Sequence, residues 1–437
     1  MSLEASASTS GVAPPAEEVP AAGVAPPAEA APATEEVPAA GGDRGVALWI
    51  ITVAHTFNHL QGNMTNLLYP VMMTELGFGY FQIGLLTTVY SLMANALQAS
   101  FGLITPYVRR SVVLGVGATL LAFATGATGL VQNFGQLMAT RLVGGIATSP
   151  QHPVGSTLLV GLYPRIRGRV LALHTTGGNA GTLLAPLVIW ALLQFLDWRW
   201  VFFVVAVPSL VAGLGYFLLR DRIPQMESRQ KGKRATLQAY AACLRNRNLL
   251  LISAVQMVGA AGRGQGLDIA FLSPHFVNDF GLELSTATLL IGVLQTGGLV
   301  GPMLLGWLSD RLPRKAVLLV SLALSALTTW GLAMMGAPGP LLILNLVAYG
   351  VVVNSRLVLT QALIADSAVD DTTDAAYSLY YFVGFISGPA WTLLLGWVVE
   401  TYGFTIGFTT MAATYVAAMA LIGFIQPPPA QVVARGA

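Results

Sequence analysis

From Val46 onward the chain alternates long apolar runs with short polar turns. Twelve runs can be counted, at roughly 46–74, 80–105, 111–131, 134–162, 170–195, 200–219, 249–277, 284–305, 316–337, 340–365, 375–399 and 404–425. Each reaches or exceeds the ~20 residues that a helix needs to cross the hydrocarbon of a bilayer. The surplus in several runs permits tilt but fixes no angle. The pattern predicts an all-α membrane protein of twelve transmembrane helices. The longest polar interruption, 220–248, divides them six and six. The expected organisation is a tail over 1–43, a first six-helix half over 44–219, a basic linker over 220–248, a second half over 249–426 and a short tail over 427–437.

Charge gives these segments a direction. Turns after even-numbered runs hold Arg109 and Arg110, then Arg165, Arg167 and Arg169, then Arg311, Arg314 and Lys315, and the linker carries eight more cations. Turns after odd-numbered runs offer only Arg199. Lys and Arg accumulate on the cytoplasmic side, so both termini and the linker are expected there, in the plasma (inner) membrane. The turn after run 10 is acidic, with Asp366, Asp370, Asp371 and Asp374, but acids have little influence on orientation.

Composition agrees with the pattern. The 437 residues are 54% hydrophobic and 10% charged, against about a quarter charged in soluble domains. A net charge of +2 does not point to nucleic acid. The single cysteine, Cys243, excludes an internal disulfide, and no phosphate-binding Walker loop is visible. No nucleophile–base set appears, and the scattered histidines make no metal constellation, so neither an enzyme nor a cofactor is expected. The first 43 residues differ in kind. Gly-Val-Ala-Pro-Pro-Ala-Glu occurs at 11–17 and 23–29, and Glu-Glu-Val-Pro-Ala-Ala at 17–22 and 35–40. Such a segment cannot bury enough apolar surface to offset chain entropy. It reads as a disordered acidic tail, either a dispensable extension or a tether or partner site.

Ionisable groups inside a membrane are costly and raise a functional question by default. All five histidines, His55, His59, His152, His174 and His275, fall in or at the edge of a run. In the first run His55, Asn58, His59, Gly62 and Asn66 share one helical face. That face either lines a cavity, for solute or protons, or makes helix–helix hydrogen bonds. Arg141, Arg263 and Arg356 are embedded cations. Arg263 sits among Gly259, Gly262, Gly264 and Gly266, five residues before Asp268. Arg356 shares a face with Asn345 and Tyr349, and Asn354 and Gln361 share a neighbouring one. Two readings stand. Arg263 and Arg356 could form an anion site between the halves, since the guanidinium fork matches carboxylate and phosphonate. Alternatively each pairs internally, Arg263 with Asp268 and Arg356 with acids near run 10.

Several motifs carry a family resemblance. Gly306-Trp307-Leu308-Ser309-Asp310-Arg311-Leu312-Pro313-Arg314-Lys315 resembles the Gly-x-x-x-Asp-Arg-x-x-Arg-Lys loop of the major facilitator superfamily. Arg141-Leu142-Val143-Gly144-Gly145 is similar to its span-4 Arg-x-x-x-Gly signature. Over about 50–190 the chain resembles the fosmidomycin-resistance branch, through His55-Thr56-Phe57-Asn58, Leu68-Tyr69-Pro70, Phe81–Leu85, His152-Pro153-Val154-Gly155-Ser156 and Gly177-Gly178-Asn179-Ala180-Gly181. Two branch acids are replaced, by His59 and Val154, and Pro106 stands where the first-half loop would carry its acid. The resemblance implies the major facilitator fold, a monomer, and a midplane site between halves that rock in alternating access. It also implies a proton-coupling or packing role for Arg141. Taken with the embedded polar residues above, the expected solute or coupling set is His55, Asn58, His59, Arg141, His152, Asn179, Arg263, Asp268, Asn354 and Arg356.

The expected function is export of a small polar or anionic organic solute in exchange for protons. Proton-coupled uptake of a carboxylate or similar anion is the alternative. A non-transporting receptor or scaffold is a second one, for which the lost branch acids leave room.

Overall fold

A computed structural model describes residues 41–105, 107–163, 166–218, 233–259, 269–335, 339–368 and 373–426. Residues 1–40 and 427–437, the first part of the linker up to residue 232, Arg263 and Asp268 lie outside these residues.

The described chain is almost entirely helical. Helix α1, Gly41–Leu76, is 36 residues long and includes Pro70. At 1.5 Å per residue it extends about 54 Å, with His55 and His59 close to its midpoint. The second crossing joins α2, Tyr80–Ala96, through a 3-10 turn to α3, Phe101–Ile104. The third is α4, Arg110–Thr128. The fourth comprises α5, Phe134–Thr148, and α6, Gln151–Leu162, interrupted at Ser149–Pro150. Helices α7, Arg167–Leu193, and α8, Trp198–Leu218, complete the first half. The linker contributes α9, Lys233–Arg245.

In the second half, α10, Arg247–Val258, and α11, Ile269–Pro274, flank the glycine-rich stretch of the seventh crossing. Helices α12, Leu284–Ser309, α13, Arg314–Met334, and α14, Pro340–Ser367, follow. Helix α15, Thr373–Gly423, contains the last two crossings. Its chain reverses at Gly403, whose φ of +82° suits only a residue without a Cβ. Among the described residues, seven helices are individually long and apolar enough to span a membrane, and the last of them, α15, makes two crossings. With α1 and the three jointed crossings they are consistent with the twelve-helix bundle expected from the hydropathy pattern.

The halves meet at one end of the bundle, on the side of the turns after odd-numbered crossings. There the Glu400 carboxylate accepts from the Tyr80 backbone N–H at 2.6 Å, capping the start of α2 from α15. Asn278 donates to the Tyr80 hydroxyl at 2.9 Å, and the Tyr80 and Phe404 rings stand edge to face at 4.9 Å. Deeper in, Ser273 donates to the Leu67 carbonyl at 2.7 Å and Thr88 to the Pro389 carbonyl at 2.8 Å. Within the first half, Glu75 pairs with Arg199 at 3.1 Å and accepts from Trp198 at 2.9 Å.

The opposite end carries the basic loop motif, which fastens the second half internally. Asp310 closes α12, its N–H donating to the Gly306 carbonyl. Arg314 reaches Asp366 at 2.5 Å, Asp310 at 3.4 Å and the Ala362 carbonyl at 3.3 Å. Lys315 donates to the Gly423 and Ile425 carbonyls at 3.2 and 2.9 Å, where a cation suits the C-terminal end of α15. Arg311 lies over the Trp307 ring at 3.7 Å. The motif therefore ties the ends of α12, α13, α14 and α15 into one block.

Candidate functional site

Near the middle of the bundle α1, α6 and α7 bring four histidines together. The His55 and His174 rings stack at 4.0 Å. His55 lies edge-on to His59 and to His152, both at 4.7 Å, and His59 is 5.3 Å from His152. His55 and His174 are buried, His59 is half-buried and His152 is exposed. The local sequence explains the approach. Gly177, Gly178 and Gly181 form the surface of α7 that lies on α1. A Cβ on Gly178 would stand 2.7 Å from Cε1 of His55, and one on Gly181 would run into the Thr56 carbonyl. The Gly-Gly-Asn-x-Gly run thus clears room for the imidazoles. Asn179, inside that run, is exposed.

Hydrogen bonds orient two of the rings. Nδ1 of His55 is 2.8 Å from the His174 carbonyl, which can only accept, so Nδ1 carries the proton. Nδ1 of His59 is 3.2 Å from Oγ1 of Thr182, and that hydroxyl donates onward to the Gly178 carbonyl. Among the described residues, the Nε2 atoms of His55 and His59 and both ring nitrogens of His174 are buried without a partner. Ligand nitrogens of His55, His59 and His152 lie within 4.8 Å of one another.

The rest of the α1 face is engaged in packing. Asn58 accepts from the Thr148 hydroxyl at 2.5 Å. Gly62 faces the Tyr90 ring, where a Cβ would meet the hydroxyl at 3.0 Å. Asn58 thus makes a helix–helix hydrogen bond, while the His55 and His59 rings turn toward His152 and His174.

Arg141, on α5, is 4% exposed, and its guanidinium lies over the Tyr90 ring at 4.0 Å. Among the described residues no carboxylate pairs with it, and its Nε has no partner. Arg356 is 2% exposed and is committed elsewhere. It donates to the Gly259 carbonyl and faces the Tyr415 ring at 5.8 Å, holding the end of α10 beside the glycine-rich stretch. Asn354 donates to the Gly350 carbonyl within its own helix at 3.1 Å. Gln361 donates to the Tyr381 hydroxyl at 2.7 Å, and Trp391 to the Met257 carbonyl at 2.7 Å. The structure therefore gathers His55, His59 and His152 with His174, and separates them from Arg356 and Asn354 in the other half.

Some participants had no signal in the sequence. Tyr90 lies in an ordinary apolar run and becomes notable only because Gly62, Gly144 and Arg141 surround it. Gln61, off the histidine face, is buried, donates to the Val205 carbonyl at 2.6 Å and accepts from Thr125 at 3.2 Å. Glu400, in a turn that carries no cation, joins the halves.

Known proteins share this architecture. A "Probable L-galactonate transporter" of Escherichia coli strain K12 is 22% identical over 61% of this chain, and the match spans 61% of its own length. The sialic acid transporter NanX of the same strain is 21% identical over 87% of this chain and 94% of its own. Among solved structures, a bacterial homolog to the human lysosomal transporter Spinster, in an inward-facing and unoccupied conformation, superposes with a TM-score of 0.74 at 16% identity, covering 91% of this chain and 99% of that one. The Major Facilitator Superfamily profile matches residues 51–390 and 269–437. The match runs through both six-helix halves, and the chain belongs to the Major Facilitator Superfamily, a family of transporters and not of enzymes.

Proposed function

We propose that this protein is a secondary transporter that carries a small organic anion, a hydroxylated carboxylate, by alternating access. Arg141 is the observation that carries the reading. A cation held at 4% exposure in an apolar bundle, with no acid beside it among the described residues, is costly until an anion arrives. The planar fork of arginine suits a carboxylate, and the Tyr90 ring beneath it supplies a rigid platform. Relatives described as transporters of galactonate and sialic acid support the same chemical class. Arg263, outside the described residues, is the second cation we assign to this anion, whereas Arg356 holds the Gly259 carbonyl.

The excess of cations in even-numbered turns puts that face in the cytoplasm, with both termini, in the plasma (inner) membrane. The end closed by Tyr80, Asn278 and Glu400 is then external, so the site communicates with the cytoplasm. The basic loop motif keeps the second half a single body as it rocks. The coupling ion is a proton, and the direction is uptake with it.

A second reading, export in exchange for protons, rests on the first-half motifs similar to the fosmidomycin-resistance branch. Purified protein in vesicles separates them. An acidic exterior should drive labelled galactonate or sialic acid inward, and Arg141→Gln should abolish the movement. Movement only against an inward proton flow supports export. No transport of any anion, in either gradient, sinks both and leaves a receptor or scaffold.

A further inference from the structure

We propose that His55, His59 and His152 form a binding site for a first-row transition-metal dication, of which Zn²⁺ is the type. This goes beyond the proposed anion transport and beyond the sequence pattern, in which the scattered histidines make no metal constellation.

Four observations converge. The first is ligand number and type. Three imidazoles present nitrogens within 4.8 Å of one another, and imidazole is a ligand that zinc, copper and nickel accept readily. Two of them, four residues apart on α1, share a helical face in the spacing that lets a histidine pair grip one ion. Tetrahedral ligation at about 2.0–2.1 Å would bring the nitrogens to roughly 3.4 Å apart. His152, exposed on α6, is the ring free to close that gap.

The second is orientation. A ligating histidine typically donates its other ring N–H to a carbonyl or similar group, which fixes the tautomer and aims the lone pair. His55 does this through Nδ1 to the His174 carbonyl at 2.8 Å. His59 does it through Nδ1 to Thr182, whose hydroxyl proton is directed to the Gly178 carbonyl. The Nε2 atoms are thus left as lone pairs.

The third is that these lone pairs have nothing else to do. Nε2 of His55 and Nε2 of His59 are buried without any partner, and His55 is 3% exposed. A buried polar atom without a partner calls for an explanation, and ligation of a metal ion supplies one.

The fourth is the shape of the wall. Gly178 and the stacked His174 ring leave just enough room for the His55 imidazole, since a Cβ at 178 would fall 2.7 Å from its Cε1. Access comes from the side of His152, where solvent or a carboxylate of the solute can fill a fourth position, as in sites that keep one position open. No carboxylate contributes to the set, so Mg²⁺ and Ca²⁺, which take oxygen ligands, are excluded.

The test needs no transport assay, so it stands apart from the proposed anion transport. Full-length protein, with any affinity tag removed, is dialysed against Zn²⁺, and against Mg²⁺ as a control. Bound metal is counted, and its environment is read by X-ray absorption at the zinc edge. One zinc per chain is expected, with three nitrogen scatterers in the first coordination sphere, and no retained Mg²⁺. His55→Gln and His59→Gln should each weaken zinc binding by more than about tenfold, since loss of even an outer-sphere partner costs 10–100-fold. Thr182→Val should weaken it less, and His275→Gln, paired with Asp279 in the other half, should leave it unchanged. Zinc absent from folded wild type overturns the proposal. So does zinc bound with equal affinity by the His55→Gln/His59→Gln double variant. Should the double variant fail to fold, the wild-type absorption spectrum decides, because an oxygen- or sulfur-dominated coordination sphere also overturns it.

Discussion

Glu400 holds the N-terminus of the first-half helix α2 from the second half, and its removal should open that end of the bundle. Its carboxylate accepts from the Tyr80 N–H at 2.6 Å, at the start of α2, where the helix leaves amide donors unpaired. A hydrogen bond to a charged group contributes about 1.5–3 kcal/mol, and a negative charge at a helix N-terminus about 0.3–1 kcal/mol. Because Glu400 is exposed, solvent screening reduces the combined effect to about 1–2 kcal/mol. The Asn278–Tyr80 hydrogen bond and the Tyr80–Phe404 ring contact survive the change, so the end is loosened and not dismantled. A free-energy change of that size alters the ratio of closed to open molecules roughly 5- to 30-fold. Glu400→Ala should therefore populate a state with the halves parted at this end. Spin labels at Phe195→Cys and Tyr402→Cys, both exposed on that side, would report it by pulsed electron resonance in a Cys243→Ser background. A longer-distance population should grow in the variant. An unchanged distance distribution, or a shift to shorter distances, would refute the latch and the energy assigned to it.

Other substitutions probe the packing. Gly178→Ala should lower the melting temperature in detergent through about 1–3 kcal/mol of overpacking against His55, while Gly45→Ala, with open space at its Cβ, should not. Gly403→Ala places a side chain at positive φ and should cost about 1–2 kcal/mol in the same melt. Thr148→Val leaves the buried Asn58 oxygen without its donor and should cost about 1–3 kcal/mol, with Asn58→Leu/Thr148→Val recovering part of it. Asp366→Asn should remove about 1 kcal/mol or less, an effect that shrinks at high salt, because the Arg314–Asp366 pair is 30% and 31% exposed; Asp310→Asn, 69% exposed and 3.4 Å away, should matter less.

The crossings were legible because hydrocarbon thickness imposes length on every apolar run, whatever its neighbours. Gly403 marks the last turn in the sequence as it does in the fold. The loop motif could be recognised from residues 306–315, but its partners Asp366, Gly423 and Ile425 are 50 to 110 positions away, and no local pattern names them. The histidines tell the same story. Helical spacing put His55 and His59 on one face, yet it could not say that His152 and His174 would converge on that face from two other crossings. That convergence is tertiary, set by close glycine contacts between α1 and α7. Arg356 was weighed as an anion ligand because its charge stands out in an apolar run. Its carbonyl partner, Gly259, carries no side chain that could have announced it.

The claim that Arg141 awaits an organic anion can be tested most directly by ligand-induced stabilisation. A ligand that binds only the folded protein raises stability by about 2.7 kcal/mol at 100 times its dissociation constant. Detergent-solubilised protein is melted against a panel of carboxylates, including galactonate and sialic acid, with fosmidomycin, simple phosphonates, neutral sugars and organic cations alongside. Carboxylates should raise the melting temperature of the wild type and leave Arg141→Gln unmoved. If neutral or cationic compounds stabilise the wild type instead, or if carboxylates stabilise Arg141→Gln as well as they do the wild type, the anion site at Arg141 is contradicted.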